Sequence, residues 1–327
     1  MSRGKVSRSN FVAPWWLSNR HTQTLWPRLF PAQNPFTYSK ERLELNDGDF
    51  VDLCWTGESS GPLVAVFHGL EGSINSPYIQ DIMSSIASHG WRGVFMHFRG
   101  CSGEFNRLDR NYHSGDTGDI EFLISTLRTR FPDSPLFAIA YSLGGNALLK
   151  YLGENRQNTK LDAAVAVSVP FLLDSCALQL NRGLSKFYQR YLLASLHKKT
   201  REKYRDRKID LPLNRLDSMK TFHLFDDQIT APLHGFNGVN DYYSRSSCHQ
   251  YLKNITTPTL IIQSKDDPFM TPEVIPEANE VGQNVELEIT NKGGHVGFIN
   301  GKYPWRAKHW LKSRIPKYIH SHLDKAI

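Results

Sequence analysis

The stretch Leu136-Phe-Ala-Ile-Ala-Tyr-Ser-Leu-Gly-Gly-Asn-Ala-Leu-Leu-Lys150 decides how the chain is read. Leu136 to Ala140 is an apolar run of strand length, opened by Pro135. Beyond it, the spacing of Ala147, Leu148, Tyr151 and Leu152 predicts a helix with one buried face. Between the two, Ala140-Tyr141-Ser142-Leu143-Gly144 must turn sharply from strand into helix. The pattern is that of the strained G-x-S-x-G elbow, with Ala in the first small position. Small residues are needed because the positions two before and two after the serine lie against neighbouring backbone. A turn of this kind lifts Ser142 Oγ to the tip of a strand and aims the Leu143 N–H at the same space, at a helix N-terminus. The plainer reading is a helix N-cap serine after a buried strand, which requires no chemistry.

Outward from the elbow the pattern alternates. Residues 63–67 and 93–98 read as buried strands, 76–89 and 116–130 as helices, and 163–169 as a further strand. Pro77 suits a first helical turn, and Ile120, Leu123, Ile124 and Leu127 form one stripe. Strand–helix alternation at this spacing predicts an α/β fold with a mostly parallel sheet covered by helices on both faces. Upstream, residues 41–45 and 50–55 read as a β-hairpin around Asn46-Asp-Gly-Asp49. Alternation stops after Pro170 and resumes with strands at 259–263 and 285–289. The roughly eighty residues between, about 170–254, are expected to form a mainly helical lid, with helices at 171–189 and 191–208. Residues 272–281 and 303–322 are expected to be helical, the second interrupted by Pro316. The first forty residues carry Pro14, Pro27, Pro31 and Pro35, which argue against one long helix. Trp15, Trp16 and Trp26 have too much apolar area for water, so this arm is expected to pack across a single domain spanning 1–327.

Composition limits the function classes. The chain has 327 residues, 40% of them apolar, and no run reaches the ~18–20 apolar residues of a membrane span. No apolar segment follows the basic start, so no secretory signal is expected. Cys54, Cys101, Cys176 and Cys248 are widely spaced and suit reduced thiols in a cytoplasmic protein. The net charge of +7 arises from 39 basic and 32 acidic residues that are mixed along most of the chain, and no nucleic-acid motif accompanies it. The densest basic block, residues 197–208, is read as a solvated helix face or loop, with a patch for anionic lipid head groups as the alternative.

A serine nucleophile needs a base and a group to orient that base, both expected after later strands on the side where Ser142 emerges. Ser264-Lys-Asp-Asp-Pro-Phe-Met-Thr-Pro272 follows one such strand, and Asn291-Lys-Gly-Gly-His-Val-Gly-Phe298 follows the next. The order Ser142, Asp267, His295 is that of α/β-hydrolases. Of the two adjacent acids, Asp267 precedes a proline and is preferred, leaving Asp266 to cap or brace the loop. Glycines 293, 294 and 297 free the backbone around His295. The oxyanion donors expected are the N–H groups of Leu143 and of Leu70, in the loop His68-Gly69-Leu70 after the first parallel strand. His68 lacks the companions of a metal site, and neither metal nor cofactor is expected. His21 is read as structural.

Six ordered motifs resemble one family: His68-Gly-Leu-Glu-Gly-Ser73, Phe98-Arg-Gly-Cys-Ser-Gly103, Tyr112-His-Ser-Gly-Asp116, Tyr141-Ser-Leu-Gly-Gly145, Asp266-Asp-Pro-Phe269 and Gly293-Gly-His-Val-Gly-Phe298. Together with Trp16-Leu and His21-Thr-Gln-Thr24, they are similar to the YheT-like branch of the α/β-hydrolases over nearly the whole chain. The resemblance implies a carboxylesterase acting on a small-molecule ester through Ser142, Asp267 and His295. Relatives similar in these motifs act on acylglycerols or phospholipids. The same machinery would serve a thioesterase or acyltransferase, and a silent binding protein on this fold is the reading from another class. Phe171, Leu172, Phe187, Tyr188, Phe236, Tyr242 and Tyr243 are expected either to roof the pocket or to form the lid's own core.

Overall fold

The computed structural model describes residues 3–31, 36–57 and 61–323. Pro35 therefore lies outside the described residues. Nine strands form one sheet: β1 (Lys5–Arg8), β2 (Ser39–Glu44), β3 (Phe50–Thr56), β4 (Leu63–Phe67), β5 (Arg92–Met96), β6 (Leu136–Tyr141), β7 (Ala163–Val167), β8 (Thr259–Ser264) and β9 (Val285–Thr290). Their order is β1-β9-β8-β7-β6-β4-β5-β3-β2. All pairs from β1 to β5 are parallel; β3 pairs antiparallel with β5, and β2 with β3.

Alternate side chains of the strands feed two cores, as the two-residue strand period requires. Leu63, Ala65 and Phe67 of β4 point with Ala138 and Ala140 of β6 into one core, shared with α3 (Gly118–Arg130) and α4 (Leu143–Asn155). Val64 and Val66 point with Phe137, Ile139 and Tyr141 into the other, against α2 (Pro77–Ser88) and α10 (Leu311–Leu323). This is the α/β-hydrolase fold. It brings the C-terminal ends of β4, β6, β7, β8 and β9 to one rim.

Between β7 and β8 the chain is helical, with α5 (Leu173–Leu180) and α6 (Ser185–Tyr204) followed by α7 (Phe222–Phe225). A π-helical turn over Asp226–Thr230 joins α7 to α8 (Ala231–Leu233), and α9 (Val239–Ser246) follows. The break between the first two helices is at 181–184, not near residue 190, because Gly183 sits at φ +47°, a left-handed conformation that glycine takes freely. Residues 272–281 form only a 3-10 turn, Pro272–Val274, rather than the expected helix. Pro276 holds Ile275 extended at φ −73°, ψ 123° and closes off any continuation. The last helix starts at Leu311; the residues before it make a 3-10 turn (Pro304–Arg306) and a two-stranded ribbon of β10 (Ile299–Asn300) with β11 (Lys308–His309). Pro316 lies inside α10, and the Lys312 carbonyl it leaves without an intrahelical donor accepts from Ser85 Oγ at 2.9 Å.

The N-terminal arm is more deeply built in than its prolines suggest. β1 adds a parallel edge strand to β9, and α1 (Arg20–Leu29) lies across the loop that follows β9. Asn19 caps α1 through its side chain, accepting from the N–H of His21 and of Thr22. Trp16 packs on Trp26 at 4.8 Å and donates its indole N–H to Gly301 O. Trp15 contradicts the expectation of burial: it is 78% exposed, pointing out of the 3-10 turn Trp15–Leu17 whose Leu17 takes the buried position. No described helix is long and apolar enough to cross a membrane.

Candidate active site

β6 ends at Tyr141 and α4 starts at Leu143, so the whole reversal falls on Ser142, at φ 51° and ψ −120°. Non-glycine residues rarely occupy that region, and such strain persists only where the surroundings hold it. Here Ser142 N–H donates to Val167 O of β7 at 2.9 Å, and Ser142 O accepts from Asn146 N–H at 3.0 Å. The small residues of the motif each have a neighbour that explains them. A Cβ on Gly144 would lie 2.4 Å from His68 O, and one on Gly145 2.9 Å from Val169 Cγ2. Ala140 sits fully buried between Phe67 and Ala166 in the sheet register, where one methyl group fits.

Two later loops converge on Ser142. His295, after β9, brings Nε2 to 3.0 Å from Ser142 Oγ. Its Nδ1 is 2.8 Å from Asp267 Oδ2, after β8. Asp267 is fully buried, and its other oxygen accepts from Phe269 N–H at 2.8 Å. The Phe269 ring lies flat on the imidazole, centroids 3.9 Å apart and planes 5° from parallel. The two acids divide their tasks: Asp267 reaches the imidazole, whereas Asp266 Oδ1 accepts Gly294 N–H at 3.0 Å and braces the histidine loop. Burial pushes the Asp266 carboxyl above the usual range. Ser264 Oγ adds a bond to Gly294 O, and Ser168 Oγ accepts Val296 N–H at 3.0 Å.

The loop after β4 closes the other side. Gly69 lies so near the elbow that a Cβ would come 3.0 Å from Ser142 Cβ, and Leu70 follows into the cavity wall beside Leu143. As the first residue of α4, Leu143 has an N–H without an intrahelical acceptor. His68 shapes this loop. It is fully buried, Nε2 accepts Phe98 N–H at 3.0 Å, and Nδ1 lies 2.6 Å from Gly69 O. Burial lowers it to about 3, so the ring is neutral with its proton on Nδ1, and both nitrogens are engaged within the protein.

The N-terminal arm supports the histidine loop. Thr24 Oγ1 accepts the His295 N–H at 2.9 Å. Gln23, fully buried, donates to Leu17 O and Ile299 O and accepts from Ile299 N–H, tying α1 to the chain just past the histidine. The glycines beside His295 make room for α1: a Cβ on Gly294 would fall 2.6 Å from Arg20 O, and one on Gly297 2.3 Å from Gln23 O. His21 Nδ1 lies 3.2 Å from Tyr188 OH, and burial lowers this histidine below its usual range. The one sequence signal for this support was His21-Thr-Gln-Thr24, which the family resemblance had included.

The helical segment after β7 covers the serine. Leu173, Cys176, Ala177, Leu180, Leu192 and Phe222 give the cavity beside Ser142 and His295 an apolar wall. Of the aromatic residues expected as a roof, Tyr243 lines this cavity and Tyr242 a second, adjoining one. Phe171 belongs to the core, Phe187 faces solvent, and Tyr188 packs on Phe269 with centroids 5.1 Å apart. Asp226 lies between the two cavities, accepting from Thr230 Oγ1 at 2.7 Å and Tyr243 OH at 2.8 Å, and burial raises it to about 6. Of the basic block, Lys198, Arg201, Arg205 and Lys208 are exposed as its composition suggests, whereas Lys199 and Lys203 turn to the adjoining cavity. Lys203 is buried, its three protons donated to Asn106 Oδ1, Arg110 O and Asn111 Oδ1, and burial lowers it to about 7. Lys199 lies 3.1 Å from Glu71, and Arg201 and Arg207 pair with Asp217 and Asp109.

A family profile described as alpha/beta hydrolase fold matches residues 62–302. The chain belongs to the α/β-hydrolase family. Within that family it is 44% identical over 324 residues to the Escherichia coli (strain K12) protein named "Putative esterase YheT", covering 97% of this chain and 95% of that one. It is 29% identical to phospholipase ABHD3 of Mus musculus over 91% of this chain and 75% of the relative. Among solved structures, the Pyrococcus furiosus esterase Pf2001 superposes with a TM-score of 0.59 at 18% identity, covering 99% of this α/β-hydrolase and 98% of the other chain, a likeness of fold.

Proposed function

We propose that this α/β-hydrolase is a serine hydrolase of carboxylic esters that works through an acyl-enzyme on Ser142. The observation that carries the reading is the continuous contact Ser142 Oγ–His295 Nε2–Asp267, at 3.0 and 2.8 Å, on a strained strand-to-helix turn. His295 Nε2 takes the Ser142 proton as Oγ bonds to the acyl carbon. The resulting oxyanion is held by the Leu70 and Leu143 N–H groups. His295 then gives its proton to the departing alkoxide, and the alcohol leaves. In the second half His295 deprotonates a water, which attacks the acyl carbon, and the proton returns to Ser142 Oγ as the acid departs. Asp267 keeps the imidazole proton on Nδ1 and stabilises the imidazolium, and the Phe269 ring shields that pair from water.

The apolar wall contributed by α5 and α6 suits the acyl portion, and the names of the relatives, an esterase and a phospholipase, favour lipid-like esters. The four cysteines, all free and buried, fit a reducing cytoplasmic setting. A fluorophosphonate probe is expected to label Ser142 in folded protein, alongside hydrolysis of p-nitrophenyl esters across acyl lengths. Folded protein that takes no label and hydrolyses none of these esters would overturn the reading.

A further inference from the structure

The catalytic loops lie under the junction of α1 with the first half of α6. Ser185 Oγ donates to Pro268 O at 2.6 Å, and Tyr188 covers Phe269, which covers His295. Arg28 binds the two helices together, donating to Tyr191 OH at 2.6 Å with its guanidinium 4.7 Å from that ring's centre. On this surface Leu184, Phe187 and Tyr191 stand 71%, 65% and 50% exposed, and Arg28 brings to Tyr191 the end of α1, where Leu29 and Phe30 are 66% and 56% exposed. Single exposed apolar side chains need no explanation, whereas several along one helix face beside an active site do. The spacing 184, 187, 191 continues one face of α6, with Lys186 and Arg190 alongside it and Arg182 in the turn just before the helix.

The two segments that form the rim carry charge of one sign. Neither residues 1–40 nor residues 175–201 contain an aspartate or glutamate. Arg28, Arg182, Lys186 and Arg190 are all exposed, and among the described residues none of them makes an ion pair. The cations further along differ: Lys199, Arg201 and Arg207 are matched by carboxylates within the protein. An apolar stripe edged by unmatched cations is the chemistry of a peripheral amphipathic helix on acidic lipid.

We propose that this rim docks the enzyme on an anionic lipid surface, Leu184 and Phe187 entering the boundary between head groups and acyl chains while Arg182, Lys186 and Arg190 meet lipid phosphates. Docked so, the covering helices face the bilayer with the catalytic cavity directly behind them, a route for an ester to leave the membrane without crossing water. The docking itself does not depend on the ester-hydrolase reading; its use for catalysis does.

Co-sedimentation of the full chain with vesicles of phosphatidylcholine alone, or of phosphatidylcholine with phosphatidylglycerol, tests it. Binding is expected to the acidic vesicles and to weaken steeply with added salt. Leu184→Ser/Phe187→Ser should lower that binding at least tenfold, and Lys186→Glu/Arg190→Glu should remove the preference for acidic vesicles. Both variants should keep hydrolysis of a water-soluble short-chain ester within about twofold of wild type. Equal binding to both vesicle types, no binding to either, or undiminished binding by the serine variant would overturn the proposal. So would a dimer that the serine variant dissociates, which would make the rim a contact between copies. Vesicle binding without hydrolysis of any soluble ester would count against the hydrolase reading and leave the docking standing.

Discussion

Thr24→Val tests whether the arm positions the base. The substitution keeps the shape of the side chain and removes the oxygen that accepts the His295 N–H at 2.9 Å. A half-buried N–H left without an acceptor costs ~1–3 kcal/mol. The loop cannot relax toward α1 to find another, because Gly294 and Gly297 already let the backbones approach as closely as glycine permits. The available response is a shift of the loop that lengthens the 3.0 Å approach of His295 Nε2 to Ser142 Oγ. At ~1.4 kcal/mol per tenfold in rate, the same cost expressed in the transition state is a fall of ~5- to 150-fold in kcat. The assay is steady-state hydrolysis of a p-nitrophenyl ester, with thermal unfolding measured in parallel. Thr24→Ser keeps the acceptor and should restore most of kcat while KM changes little in either variant. A Thr24→Val enzyme within twofold of wild type in kcat, or a Thr24→Ser enzyme as slow as the valine variant, would refute the reasoning.

Ser142→Ala should lower kcat by ~10⁴-fold or more and abolish fluorophosphonate labelling, checked by mass spectrometry on folded protein. The adjacent acids should separate: Asp267→Ala is expected to cost ~10³–10⁴-fold in kcat by losing the group that orients the imidazole, whereas Asp266→Ala, which loses only a brace on Gly294, should cost ~10-fold or less. Asp226 gives a stability test. Its folded-state value, about 6, lies above the ordinary 3.8, so the folded chain binds more protons than the unfolded one between those limits. Stability from this group is therefore present below pH ~4 and lost as pH rises through ~6, a difference of ~3 kcal/mol at most. Asp226→Asn should raise the unfolding temperature at pH 8 and leave it nearly unchanged at pH 4; an equal change at both would show that ionisation is not the cause.

The readable part of the chain was where burial dictates composition. β4, β6 and β7 are buried on both faces and so appear as short continuous apolar runs, and the elbow was legible because close backbone approach leaves only small residues around Ser142. β1 was not legible: Lys5-Val-Ser-Arg8 is an edge strand with one apolar side chain, formed because β9 offers it an unpaired edge. The break at 181–184 and the short turn at 272–274 depend on single backbone conformations that a helical pattern does not encode. Lys203 read as a surface cation because its three acceptors come from a loop nearly a hundred residues earlier. For the site, Ser142, His295 and the pair of acids stood out by their place after strands, but the support from Thr24 and Gln23 is a contact between distant segments with no periodicity to reveal it.

The stitching of residues 5–24 to residues 285–299 has a consequence for synthesis. Thr24 precedes His295 by 271 residues, so in synthesis the arm is made well before the edge and the loop that it completes. Until those are made, α1 and β1 have no template, and the imidazole has no backing. The contacts that hold the His295 loop against α1 can therefore form only after residues 285–299 have left the ribosome.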